Sequence, residues 1–226
     1  MTENDHGHGP GAVTHAGPDA AAAWWDELYG ARERVWSGAA NAALVRLAPD
    51  LRPGTALDLG CGEGADAVWL AARGWQVTAV DISAVALARA AQHAAEAGVA
   101  ERIRWQHHDL AVSFPAGRFD LVSAHFLHAP AELGMPREEV LRAAAAAVAP
   151  GGTLLVVGHA DYPPWSQHRH DEHERLATPQ EVLDGLDLAP GEWRVLRVET
   201  APREASGPDG QAATLHDAVV MAERTA

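Results

Sequence analysis

Two rhythms of apolar positions run along the chain. From residue 55 onward, short apolar or alternating runs are each followed by longer runs with apolar residues every three or four positions. The short runs span 55–60, 75–81, 103–110, 119–126 and 153–160; the longer ones span 65–74, 83–98, 136–152 and 178–187. The first kind reads as strands and the second as helices. Two further extended runs, 192–200 and 212–224, have no helix between them. A loop of Gly, Pro and Asp joins them, so they should pair as a hairpin. Strands alternating with helices imply a parallel sheet covered on both faces. The run 153–160 is apolar throughout, as a strand buried on both faces should be. The expected fold is α/β: a three-layer sandwich on a mostly parallel seven-stranded sheet with a C-terminal antiparallel hairpin.

Ahead of this pattern, residues 19–52 read as two helices forming an N-terminal cap on a core of residues 53–226, all within one domain. Asp19 is the expected N-cap, Gly30 or Ser37-Gly38 the break, and residues 49–54 the end. Residues 1–18, rich in Gly, Pro and His without periodicity, are expected to be a disordered tail.

Composition narrows the function. The 226 residues are 47% hydrophobic and 21% charged, and no apolar stretch approaches the ~20 residues needed to span a bilayer. No secretory signal and one cysteine, Cys61, point to a cytoplasmic protein with no membrane partner. A net charge of −14 opposes attraction to phosphate backbones, so no nucleic-acid partner is expected. All 17 basic residues are arginine. Schiff-base, Walker A and dehydrogenase lysines are therefore excluded.

The chemistry concentrates in TALDLGCGEGADAVWLA, residues 55–71, where a strand breaks into alternating glycines and turns at once into a helix. Such a turn lets backbone approach a ligand at the carboxyl end of the first strand. Two patterns fit it. GCGEGA satisfies the dinucleotide fingerprint, with Asp81 about 20 residues on. Asp58, Gly60, Gly62 and Gly64 also satisfy D-x-G-x-G-x-G. Carboxylates at Asp58 and Glu63 would repel a pyrophosphate and suit a ligand carrying an ammonium and a sulfonium. A single-domain dehydrogenase of this size would need a Tyr-x-x-x-Lys pair, which a chain without lysine lacks.

The second pattern resembles motif I of the class I S-adenosylmethionine-dependent methyltransferases, a Rossmann-like family, and further segments extend the resemblance over residues 20–224. VTAVDIS implies Asp81 on the ribose hydroxyls and Ile82 against the adenine. HHDL places Asp109 and Leu110 at the adenine amino group. FDLVSAHFLH matches the fourth strand, whose end reaches the methyl group, and VAPGGTLLVV the turn before the fifth. The segment WWDELYGARERVWSGAANAALV is similar to the small bacterial tellurite-resistance and thiopurine types, which implies Trp36 beside the methionine end of the cofactor; a helical-core position is the alternative. The implied cofactor is S-adenosylmethionine, with S-adenosylhomocysteine as product. Cys61 joins the turn as a small residue that must fit, not as a nucleophile. Asp81→Ala is expected to weaken cofactor binding and leave the fold intact.

Methyl transfer needs alignment first, and a base only if the acceptor arrives protonated. His125 and His128 are the candidate bases, with cofactor packing as the alternative role. Trp25, Tyr29, His128, Tyr162 and Trp165 are the candidate wall of a small-molecule site, Tyr162 and Trp165 within the loop 159–174. His168, His170 and His173 in that loop match no standard zinc spacing, and no metal site is assigned. The absence of Asn-Pro-Pro-Tyr weakens nucleic-acid and protein-glutamine acceptors. The expected activity is methyl transfer to O, N or S of a small molecule. The alternatives are a nicotinamide-dependent oxidoreductase, and a non-catalytic S-adenosylmethionine-binding or metal-binding protein.

Overall fold

The computed structural model describes residues 18–166, 175–207 and 209–225. The expected tail, except Pro18, and the histidines at 168, 170 and 173 lie outside the described residues. Seven strands form one sheet: β1 (Thr55–Leu59), β2 (Gln76–Asp81), β3 (Ile103–His107), β4 (Phe119–His125), β5 (Val148–His159), β6 (Trp193–Ser206) and β7 (Ala212–Arg224). Their order is β3-β2-β1-β4-β5-β7-β6, with β7 alone antiparallel to its neighbours. The order reverses between β1 and β4. That switch point leaves a crevice at the carboxyl ends of the two strands, where ligands bind in open sheets.

Helices α3 (Ala65–Ala72), α4 (Ala84–Glu96), α5 (Arg137–Ala146) and α6 (Pro179–Gly185) flank the sheet, preceded by α1 (Pro18–Gly30) and α2 (Ala42–Leu47). Alternation along the strands sorts the core. Leu57, Leu59, Val122, Leu154 and Val156 face α5 and α6, packing on Val140, Leu141 and Val182. Ala56, Leu121, Leu155 and Val157 face the other way, onto Leu44 and Leu70. Asp58, Ser123 and His125 share the parity of this second set, so the pleat itself brings three polar side chains to the α3 side.

Four element boundaries differ from the sequence reading. Pro18 opens α1, so Asp19 lies in the first turn rather than capping it; proline is favoured there because its missing N–H would be unbonded anyway. The second helix shrinks to Ala42–Leu47, capped by the Asn41 side chain on Ala43 N–H at 2.8 Å, and residues 32–41 carry no helix or strand. β5 begins at Val148, inside the run read as helix, because Pro150, Gly151 and Gly152 cannot continue α5. β6 continues through Pro202 to Ser206; on an outer strand proline costs no ladder bond.

Candidate functional site

A cavity of about 1420 Å³ opens at the carboxyl ends of β1, β2, β4 and β5. Its floor is the β1–α3 turn, where Gly60, Cys61 and Gly62 line the space. Gly62 has φ +51°, and a Cβ there would lie 2.9 Å from the Tyr29 hydroxyl. No L side chain fits that close approach without strain. Burial, with Asp81 and Asp58 nearby, holds the Cys61 thiol well above its ordinary pKa, so it is no thiolate. Gly64 is not among the residues lining the cavity. At φ +82° its Cβ would meet Ala90 at 2.7 Å and Trp105 at 2.8 Å, so this glycine lets α3 pack against α4 and β3.

Asp81 ends β2 beneath the turn, 7% exposed. One carboxylate oxygen accepts Gly62 N–H at 2.8 Å and the other Ser83 N–H at 2.9 Å. Each oxygen keeps a second lone pair, and the side chain lines the cavity with Ile82, Asp109 and Leu110. Asp109 accepts Ala111 N–H at 2.9 Å, which turns the chain out of the sheet after β3.

The polar trio set by strand parity gathers a fourth member, Asp66, from the first turn of α3. Asp58 accepts Ser123 Oγ–H at 3.1 Å through Oδ1, while Oδ2 is buried and has no hydrogen-bond partner among the described residues. Burial, with the Asp66 charge close by, pushes the Asp58 carboxyl up to about 7. His125 Nδ1 lies 2.6 Å from Asp66 Oδ2, and its buried Nε2 is likewise unpartnered. Burial, the largest single effect, opposes charge on that ring, but Asp66, Asp58 and Asp217 together outweigh it, and the net shift is upward.

The wall contributed by residues 18–42 is held by a second carboxylate. Glu63 is buried. Its Oε2 accepts the N–H groups of Val35 and Trp36 at 3.1 and 3.2 Å, and its Oε1 pairs with Arg89 at 3.1 Å. Glu63 therefore does not offer the free negative charge that the sequence reading gave it. It seats Trp36, whose Nε1–H donates to the Tyr29 hydroxyl at 3.0 Å. Trp36 is 54% exposed and outside any helix, which overturns the helical-core alternative. Tyr29, Trp25 and Trp36 all line the cavity.

Residues 56–152 match the family model described as a methyltransferase domain. A ubiquinone biosynthesis O-methyltransferase of Methylobacterium sp. (strain 4-46) is 31% identical over 194 residues, covering 74% of this chain and 76% of the relative. The chain belongs to the class I S-adenosylmethionine-dependent methyltransferases. A ribosomal RNA small subunit methyltransferase C of Chromohalobacter salexigens is 36% identical over 127 residues, 54% of this chain but only 37% of the relative, so the chain spans little more than a third of that protein. Among solved structures, a chain from work on conversion of a disulfide bond into a thioacetal group during echinomycin biosynthesis superposes with a TM-score of 0.69 at 22% identity, over 90% of this chain and 93% of that one. The fold expected from the strand–helix alternation is borne out by this match and by the sheet order.

The family's cofactor is S-adenosylmethionine, and the cavity floor fits it. The unpartnered Asp58 oxygen is chemically suited to an ammonium, the turn residues Gly60, Cys61 and Gly62 line the cavity, and the Asp81 carboxylate has lone pairs to spare for hydroxyls.

Beyond the floor, the far wall of this methyltransferase is built by Phe126, His128, His159, Tyr162 and Arg203. His159 stacks between Phe126 at 4.4 Å and His128 at 5.4 Å. Phe126 has φ +49°, a strained conformation for an aromatic residue, at the point where β4 enters the cavity. Burial, with Arg137 and His159 beside it, pushes His128 down to about 4, so the ring is neutral at neutral pH. Its Nε2 has no partner among the described residues.

Trp165, read from sequence as a wall residue, does not line the cavity. A Cβ at Gly207 would lie 2.8 Å from its ring, so the indole covers the β6–β7 turn. The sequence reading missed Asp66 and Arg203, and held His159 only as part of the loop 159–174. The period-2 spacing of β5 carries His159 onward from Leu155 and Val157. Arg203 lay past a strand wrongly ended before Pro202. Asp66 stands one turn from the glycines with nothing in its neighbours to mark it.

Proposed function

We propose that this protein transfers the methyl group of S-adenosylmethionine to an oxygen, nitrogen or sulfur atom of a small molecule. The observation that carries the reading is the cavity, about 1420 Å³, which joins the family's cofactor turn to a separate aromatic and histidine wall. Its size exceeds the range of about 300–1,000 Å³ usual for one small ligand, leaving room for cofactor and acceptor together.

On this reading the cofactor supplies a methyl carbon already activated by its sulfonium. Asp58 and His125 face the methionine end, beside Trp36 and the Gly60–Gly62 backbone; Asp81 accepts from the ribose hydroxyls; Ile82, Asp109 and Leu110 enclose the adenine. Residues 18–52 serve as the cap that excludes water. Trp25, Tyr29 and Tyr162 bound the acceptor. His128, neutral and lining the cavity, is the candidate proton acceptor for an acceptor that arrives as a hydroxyl or thiol.

Likeness to a ubiquinone biosynthesis O-methyltransferase over three quarters of both chains supports a small acceptor. The likeness to a ribosomal RNA methyltransferase favours RNA as a second reading. The net charge of −14 weighs against it, since phosphate binding draws on surface cations. A cytoplasmic location accords with the reading, and no described helix is long and apolar enough to cross a membrane.

Calorimetric titration with S-adenosylhomocysteine, and with NADH in parallel, tests the cofactor. Micromolar binding of the first alone is expected. Binding of NADH alone would replace the reading with an oxidoreductase. Transfer of labelled methyl to phenol, thiol and amine panels against an RNA panel then separates the two acceptor classes.

A further inference from the structure

We infer that Asp66 is a positioning residue: its carboxylate fixes the orientation of the His125 imidazole and decides which ring nitrogen carries the proton. The consequence for ligand binding rests on the methyl-transfer reading above; the geometry does not.

Asp66 is engaged on both sides. Oδ2 lies 2.6 Å from His125 Nδ1, and Oδ1 accepts the Asn41 N–H at 2.6 Å. The two side chains are nearly enclosed, with 13% of Asp66 and 4% of His125 exposed. An ionised carboxylate only accepts hydrogen bonds, so the hydrogen between them sits on Nδ1. The unpartnered Nε2 is then an acceptor in the neutral ring and a second donor in the imidazolium. Asp58 from β1, Asp66 from α3 and Asp217 from β7 all act to keep the ring protonated, against the cost of burial. His125 lines the cavity, so a bound ligand lies against a ring whose proton Asp66 places.

The second contact makes the idea testable. In Asp66→Asn the amide oxygen is held by the Asn41 N–H, which turns the amide NH2 toward His125 Nδ1. Nδ1 must then accept, and the proton of the neutral ring moves to Nε2. The substitution keeps the shape and both contacts while reversing which ring nitrogen of the neutral His125 carries the proton.

The test is a pH titration of the whole protein labelled with 15N-histidine. Its 13 histidines are reduced to the relevant one by difference against His125→Gln. In the wild type the His125 ring should titrate above the ordinary histidine value with Nδ1 protonated. In Asp66→Asn the midpoint should fall by about one pH unit or more, and the neutral ring should carry its proton on Nε2. Affinity for S-adenosylhomocysteine should fall about fivefold or more in Asp66→Asn, yet change less than about twofold when His125→Gln is already present. An unchanged tautomer and midpoint would overturn the inference. So would an equal loss of affinity with and without the imidazole, because Asp66 would then act only through Asn41. Failure of the wild type to bind S-adenosylhomocysteine would remove the methyl-transfer reading, and the titration alone would still decide the role of Asp66.

Discussion

Replacing Asp81 by alanine separates a structural role from a binding role in one side chain. The sequence reading expected loss of cofactor affinity with the fold intact. The structure changes that expectation, because the Asp81 carboxylate accepts the N–H groups of Gly62 and Ser83 at 2.8 and 2.9 Å in a buried setting. Alanine leaves both N–H groups without an acceptor. An unsatisfied buried donor costs about 1–3 kcal/mol, so the two together cost about 2–4 kcal/mol once partial relaxation is allowed. A chain of this size then melts roughly 4–16 °C lower but stays folded at room temperature. Affinity for S-adenosylhomocysteine should fall about ten- to hundredfold, the equivalent of one charge-assisted hydrogen bond at about 1.5–3 kcal/mol. Urea unfolding and calorimetry below the melting range measure the two effects independently. A variant as stable as the wild type would show that Asp81 does not hold the turn. A destabilised variant with unchanged affinity would refute the ribose assignment and leave Asp81 a purely structural residue.

Gly64→Ala should destabilise by about 2–4 kcal/mol, combining a positive-φ penalty with contacts of 2.7 and 2.8 Å to Ala90 and Trp105; urea unfolding within 0.5 kcal/mol of wild type would contradict that packing role. Glu63→Ala should cost only about 1–2 kcal/mol of stability, because Val35 and Trp36 lie in a segment that water can reach. It should nonetheless weaken S-adenosylhomocysteine binding about tenfold and change tryptophan fluorescence as Trp36 loses its seat; affinity within twofold of wild type would remove Glu63 from the site's architecture. Stability should also fall as pH rises above 6.5. The Asp58 carboxyl, raised to about 7 by burial, makes the folded state hold a proton that the unfolded chain releases near 4, so its contribution is lost between those values. His125, raised above 6.5, contributes fully below 6.5 and is lost as pH passes its folded pKa. His128, depressed to about 4, acts oppositely, but only between about 4 and 6.5. Urea midpoints that stay flat or rise as pH climbs above 6.5 would show that the buried cluster does not hold its protons as described.

The alternation of strands and helices was readable because each period buries its own face. The two long strands at the end were readable as a hairpin from the Gly, Pro and Asp loop that joins them with no helix between. Trp36 and its segment were not, since residues 32–41 follow no period and are placed by side chains far along the chain: Glu63 on Val35 and Trp36, Asp66 on Asn41. Asp58, Ser123 and His125 could have been grouped beforehand. Once β1 and β4 are neighbours, their even spacing puts all three on the face that Ala56 and Leu121 bury. His125 stands out in the sequence by its place at a strand end; Asp66 does not, because a carboxylate in the first turn of a helix looks like an ordinary dipole-favoured residue.

Within nine residues, three carboxylates of equal formal charge take three different parts, and partners decide which. Glu63 spends its charge inside the protein, on two backbone donors and Arg89. Asp66 divides its oxygens between a histidine and a backbone N–H. Only Asp58 brings a buried oxygen to the cavity with nothing attached. The sequence reading weighed Asp58 and Glu63 together against a pyrophosphate and in favour of a cationic ligand. With Glu63 neutralised, the discrimination rests on Asp58 alone, and it rests there more firmly than a count of charges implied. Burial raises the cost of leaving that carboxylate ionised without a partner, and an ammonium placed against it removes the cost. A pyrophosphate in the same position would increase it.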